Sequence, residues 1–202
     1  MRIMLNNEII FEGKDISKIT DIFDSAYKMI IDKGQVYSHI TVDGLDIYEN
    51  PIESLTASEA TVDSVEIKAI SLEQFKVDIL CSIQEYVSRS ISELNRLSEE
   101  FYINPDDKAW NEVSQLLEGI QWIEKASMFL SANDTSAEYD HILEKCNVQA
   151  EMKLLETAVF QNDLVLVGDI LKYEIYPRFT DIDHAVGQVL KPNNEVENDV
   201  VN

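Results

Sequence analysis

One change of rhythm constrains this chain more than anything else in it. Through Thr61–Ile70 the residues alternate, with Val65, Ile67 and Ala69 set against Ser64, Glu66 and Lys68. From Ser71 onward the apolar positions fall three or four apart: Leu72, Phe75, Ile79, Ile83, Val87, Ile91, Leu94, Leu97 and Phe101. A strand turns successive side chains to opposite faces, whereas a helix returns to one face every three or four residues. The chain is therefore expected to be α+β, with two differently built cores that meet near residue 70. No Gly/Ser linker separates them, so the last strand is expected to feed directly into the first long helix. The 202 residues are enough for two small domains, here expected at 1–70 and 71–190.

The first seventy residues predict the order ββαβββ. Arg2–Leu5 and Glu8–Glu12 read as strands joined by Asn6-Asn7, a pair that tolerates the left-handed backbone of a tight hairpin. Asp15 or Ser17 is expected to cap a helix whose apolar stripe is Ile16, Ile19, Ile22, Phe23, Ala26, Met29 and Ile30. Lys33-Gly34 stops it. Val36–Val42 is a strand, Asp43-Gly44 a hairpin turn, Leu45–Tyr48 a short strand and Pro51–Leu55 a single helical turn. A hairpin, a helix, a second hairpin and a final strand form an order that resembles the ubiquitin-like β-grasp layout. The resemblance lies in element order alone and implies a single sheet with one helix across it.

Beyond Ser71, which caps the first long helix, the spacing predicts four helices. They run from Ser71 to the stop at Asn104-Pro105, over Asp106–Ala132, from about Ala137 to Phe160, and from Leu164 onward through Val167, Leu171, Ile175, Phe179, Ile182 and Val186. Short connections favour antiparallel neighbours, so the expected arrangement is an up-down-up-down four-helix bundle. Tyr176-Pro177 must kink or interrupt the last helix, because proline has no N–H and clashes with the preceding turn. Residues 191–202 are aperiodic and acidic and are expected to form a disordered tail.

Charge sets the first limit on function. Sixteen Lys+Arg stand against thirty-eight Asp+Glu, a net −22, and the excess is spread along the chain. Such a field repels nucleic-acid phosphates and anionic lipid, and favours encounter with basic partners. No run approaches the eighteen apolar residues of a membrane span, and the N-terminal run lacks the h-region of a signal peptide. Cys81 and Cys146 form no C-x-x-C and read as two buried thiols of a reducing compartment, with a disulfide between facing helices as the alternative. The expected location is cytoplasmic.

Chemical motifs are missing. His39, His141 and His184 fall in three different elements, and the one E-x-x-H, Glu138 to His141, has no second copy of the kind a di-iron bundle needs. The six glycines are too scattered for a dinucleotide fingerprint or a P-loop. No serine stands in G-x-S-x-G. No catalytic, cofactor or metal residue is assigned, and the chain is expected not to be an enzyme.

Interaction surfaces remain. Tyr173 and Tyr176 are expected on one side of the last helix just before its proline, either as an aromatic patch for a partner or as bundle packing. Gly168 would let a neighbouring helix approach. Trp122 and Trp110 lie twelve residues apart on the second helix, so one can be core and the other at the rim. Gly119 marks either a tight helix crossing or a ligand notch. These positions point to a non-enzymatic protein-binding module of adaptor, assembly-factor or chaperone type, whose partner is basic or amphipathic. Two rival expectations are a self-associating structural protein, a homodimer paired through a bundle face or a sheet edge, and an enzyme with an unfamiliar site at the junction of the two halves.

Overall fold

Asn6 and Asn7 both take left-handed backbone, φ 46° and 69°, and so turn β1 (Arg2–Leu5) tightly into β2 (Glu8–Glu12). The same device, Asp43-Gly44 at φ 48° and 89°, joins β3 (Gln35–Val42) to β4 (Leu45–Ile47). Between the hairpins lies α1 (Ile19–Asp32); α2 (Pro51–Ala57) and β5 (Ser64–Ser71) follow. The computed structural model describes residues 1–13, 18–48, 50–57, 62–133 and 139–194. The helix-capping candidates Asp15 and Ser17, and Glu138 of the E-x-x-H, lie outside these residues.

The five strands form one mixed sheet in the order β2-β1-β5-β3-β4, with β1 and β5 parallel and the other pairs antiparallel. Ile3 sits opposite Val65 and Leu5 opposite Ile67, while Ile40 and Val42 face the same two residues from β3. This register collects Ile3, Leu5, Ile40, Val65, Ile67 and Ala69 in one core with Ile19, Phe23, Ala26 and Ile30 of α1. Asp43 ties the second hairpin to β5, because its carboxylate accepts from the N–H groups of Ser64 (2.7 Å) and Asp63 (3.2 Å). Those donors hold the Asp43 carboxyl below its ordinary value.

By its packing the chain divides into two compact units, Met1–Lys76 and Val77–Asn202, the second mostly helical. The helix α3 (Leu72–Ile103) begins directly after β5, with the Ser71 hydroxyl accepting from the Gln74 N–H at 3.1 Å. It stops before Asn104-Pro105, and Asp106 caps α4 (Asp107–Asn133) through the Ala109 N–H at 2.9 Å.

The expected third helix is divided. Helices α5 (Asp140–Cys146) and α6 (Gln149–Phe160) are separated at Asn147, whose ψ of 94° is extended. The break resets the helical register. Ala150 and Leu154, apolar at the spacing of an unbroken helix, face solvent, whereas Val148, Met152, Leu155 and Ala158 are buried.

The fourth expected helix consists of α7 (Leu164–Ile170), a π turn over Leu171–Ile175, and α8 (Tyr176–Asn194). The interruption expected at Pro177 takes the form of that wider turn, where the Tyr176 N–H reaches back to the Leu171 carbonyl. Val167, Leu171, Ile175, Phe179, Ile182 and Val186 are all buried on this run, as their spacing predicts. Helix α8 continues to Asn194, so residues 191–194 of the expected tail are helical; 195–202 lie outside the described residues.

One cysteine expectation is corrected. Both thiols are free, but only Cys146 is buried. Cys81 is exposed because the buried stripe of α3 passes through Leu80, Ile83 and Val87 and leaves position 81 facing outward.

Candidate functional site

A concavity lies along α3 and α4, which the 3–4 residue stripes of both helices bring side by side. Phe101 meets Trp110 edge to face, with centroids 4.9 Å apart, and this fixes one end of the seam. Farther along, Tyr86 of α3 lies over Gly119 of α4, where an added Cβ would collide with the tyrosine hydroxyl. The other edge of the Tyr86 ring faces Phe179 of α8 at 6.1 Å. Beside this ring lies a groove of about 440 Å³. Its floor includes Tyr86, Leu94, Leu97 and Leu116; its polar lining includes Arg89, Ser90, Glu93, Arg96, Glu112 and Gln115.

The polar lining is unevenly matched. Arg96 donates to Glu93 at 3.0 Å, to Glu112 at 2.6 Å and to Glu100. These carboxylates, Glu112 first, raise the pKa of the guanidinium. Glu112 also takes a bridge from Lys108 at 3.2 Å. Burial pushes the Glu112 carboxyl up, but Arg96 and Lys108 outweigh it and hold the group below its ordinary value. Glu93, Glu100 and Glu112 are thus bridged by Arg96 and Lys108. Arg89, a further cation of the lining, donates to the Glu85 carbonyl. Burial pushes the Tyr86 phenol up.

A second cluster lies where α3 meets α7 and the π turn. A Cβ on Gly168 would stand 2.9 Å from the Tyr102 ring and 3.1 Å from the Ser98 carbonyl, so the glycine admits a neighbouring helix, as its sequence setting suggests. The Tyr102 hydroxyl donates to Asp169 at 2.7 Å, and Lys172 donates to Glu99 at 2.6 Å. The Lys172 ammonium also lies 5.7 Å and 5.8 Å from the centroids of Tyr102 and Tyr173. Burial, then Asp169, pushes the Tyr102 phenol up to about 12.

The four sequence candidates are thereby sorted. Gly119 is the wall position that receives Tyr86. Trp122, one turn farther on α4, is 40% exposed, and Trp110 is the more buried of the pair. Tyr173 is 62% exposed, whereas Tyr176 packs against the core. The structure does not join the tyrosine pair to Gly119 and Trp122 in one site.

Two features escaped the sequence reading. The groove needs Glu112 of α4 to meet Arg96 of α3, although Glu93-x-x-Arg96-x-x-x-Glu100 was readable as same-face spacing. Glu151, which reads as a surface acid, is buried; its Oε1 accepts twice from Arg178, at 2.7 Å and 3.1 Å, and its Oε2 is buried with no hydrogen-bond partner.

For chemistry the residues offer little convergence. His39, His141 and His184 stand on β3, α5 and α8, and among the described residues no three His, Cys, Asp or Glu groups gather as metal ligands. Burial pushes the Cys146 thiol up, and partial desolvation with the nearby Asp78 carboxylate pushes up that of Cys81. No helix among the described residues is long and apolar enough to cross a membrane. Compared with known proteins, residues 78–185, which carry the groove and the π turn, match a family described as a domain of unknown function (DUF8042). No curated protein and no solved structure matches the chain.

Proposed function

The chain belongs to the DUF8042 family, and we propose that it acts as a non-enzymatic protein-binding module, of adaptor, assembly-factor or chaperone type. The observation that carries this reading is the α3–α4 groove, an apolar floor edged by two glutamates and two arginines, in a chain of net −22. Its fitting occupant is a basic amphipathic helix, with apolar residues over Tyr86 and Leu116 and lysines or arginines toward Glu93 and Glu112. The net negative charge of the chain disfavours an acidic partner.

The proposed architecture is a β-grasp head and an antiparallel four-helix bundle. The strand order β2-β1-β5-β3-β4 with its central parallel pair supports the first. Four helical runs, α3, α4, α5 with α6, and α7 with α8, support the second. The proposed compartment is the reducing cytoplasm, consistent with two free thiols.

Titration of the full chain with a synthetic Leu/Lys amphipathic helix tests the reading. Binding is expected to weaken with salt and to protect the amides of 86–97 and 112–116 from exchange. Replacing Gln115 with Trp, which lays a ring over the groove floor, is expected to raise the peptide concentration needed for that protection at least about tenfold. Unchanged protection of 86–97 and 112–116 in Gln115→Trp refutes the groove as the binding surface.

Self-association is a second reading, favoured by one observation. One of the two edges of the sheet is the short β4, beside which Leu45 and Tyr48 are exposed. Light scattering over a wide concentration range decides it, and a constant monomer mass excludes it.

A further inference from the structure

Among the described residues, the most exposed large apolar side chains lie on the second unit, at the end where α3 stops. Phe160, the last residue of α6, is 92% exposed, and Ile103, the last of α3, is 86% exposed. Val165 and Leu166, in the first turn of α7, are also exposed. The turn between α6 and α7 is closed by the Asp163 N–H donating to the Ala158 carbonyl at 3.0 Å, so Phe160 and Val165 flank one bend. The Tyr102–Asp169 bond and the approach of Gly168 to Ser98 put the last turn of α3 beside α7, which brings Ile103 to the same end. A lone exposed apolar residue is ordinary; four of them around two adjacent chain reversals make a surface that water solvates poorly.

The surroundings of this end are acidic. Asp106 and Asp163 use their carboxylates to cap α4 and α7, and Asp107 is exposed beside them. The neighbouring Lys108 is engaged with Glu112.

We infer that this apolar end is a second docking surface, which takes a protein segment carrying apolar side chains flanked by lysine or arginine. Charge decides against a second copy as the occupant. A two-fold contact sets the same patch against itself, so the aspartates of one copy would face those of the other in a dehydrated rim. A basic amphipathic segment covers the same hydrophobic side chains and neutralises the rim. This surface shares no residue with the α3–α4 groove, so it stands or falls separately from it.

The test compares the full chain with the double variant Ile103→Ser, Phe160→Ser. Both positions are exposed, and unchanged urea unfolding verifies that the variant is folded. The probe is a synthetic helix with one leucine face and one lysine face; a control peptide has serine in place of leucine. The Leu/Lys helix is expected to protect the amides at 99–103 and 160–166 in the native chain, and in the double variant that protection is expected to need about tenfold more peptide. Gln115→Trp is expected to leave that protection intact, so loss of the groove reading and loss of this one are told apart. Equal protection of 99–103 and 160–166 in the native chain and the double variant at the same peptide concentration overturns the inference. So does equal binding of the serine peptide, or protection confined to 86–97 and 112–116. A native chain whose mass doubles with concentration, while the double variant stays monomeric, overturns it in favour of a second copy.

Discussion

Helix α3 makes two seams, and they are closed by opposite means. Toward α7 and α8 the helices approach through small groups: Ser98 is fully buried, and Gly168 lies against its carbonyl. Tyr102–Asp169, Lys172–Glu99 and Ser88–Asp183 then stitch the edge. Toward α4 the glycine faces a tyrosine ring alone. Gly119 makes room for Tyr86, and the groove lies beside that ring. Gly168 also faces a ring, that of Tyr102, but with a backbone carbonyl beside it. A glycine in a helical pattern therefore signals close approach without saying whether the result is a sealed seam or an open one. A carbonyl opposite it cannot turn aside, whereas the free end of a side chain can.

The largest expected effect tests the sealed side where α6 also meets α8. Arg178→Ala leaves the Glu151 carboxylate buried without its cation, and removing one member of a buried pair costs about 3–5 kcal/mol. The lower end of that range applies, because Arg178 itself is partly exposed. Urea unfolding measures the loss. Replacing both residues with methionine is expected to recover most of it, and failure to recover would show that the pair contributes more than charge balance.

Gly168→Val comes next. The new side chain meets a backbone carbonyl and a ring held by Asp169, neither of which can turn aside, so overpacking of about 2–3 kcal/mol is expected. A thermal midpoint within a degree or two of the native value would show that this seam is looser than its contacts imply.

How much of this could be read in advance follows from what kind of fact each feature is. Local chemistry was legible. Asn6-Asn7 and Asp43-Gly44 turn as their side chains allow, Ser71 caps, and the stripe from Val167 to Val186 is buried throughout. The division of the third helix was not, because Ala150 and Leu154 keep the spacing of a straight helix while Asn147 shifts the register beneath them. The groove was only half legible. Glu93 and Glu100 share a helix face with Arg96, but which residue of α4 would arrive opposite depends on how the two helices pack. Glu151 was the least legible of all, since an acid in the core reads like any other acid until Arg178 is seen beside it. Pairings across helices are nonlocal, and periodicity carries no information about them.

Tyr102→Phe probes the stitching of the sealed seam on a smaller scale. It removes a hydrogen bond to a carboxylate, worth about 1–2 kcal/mol. A pH signature accompanies it. The folded phenol titrates near 12, above its ordinary 10. The native state therefore holds a proton that the unfolded state gives up first, and the stabilisation is complete below pH 10 and lost as pH rises toward 12. The advantage of the native chain over Tyr102→Phe is expected to fall across that window. A pH-independent difference would place the stabilisation in packing instead.

Gly119→Ala is expected to have the smallest effect on stability, and it discriminates best between the two seams. Alanine gains about 1 kcal/mol of helix propensity over glycine. Against that stands the collision with Tyr86, whose displacement costs about 1–2 kcal/mol as overpacking. The obstacle is the free end of a side chain, and the groove beside it offers somewhere to go, so the net loss is expected near zero to about 1 kcal/mol. The diagnostic readout is the phenol. Burial raises its pKa in the native chain, and a ring pushed out of the seam should titrate closer to 10 in Gly119→Ala. A loss as large as that of Gly168→Val, with the phenol still raised, would mean that Tyr86 is locked and that the α3–α4 seam is as sealed as its neighbour; the groove would then be a rigid surface feature without the give that docking an amphipathic helix requires.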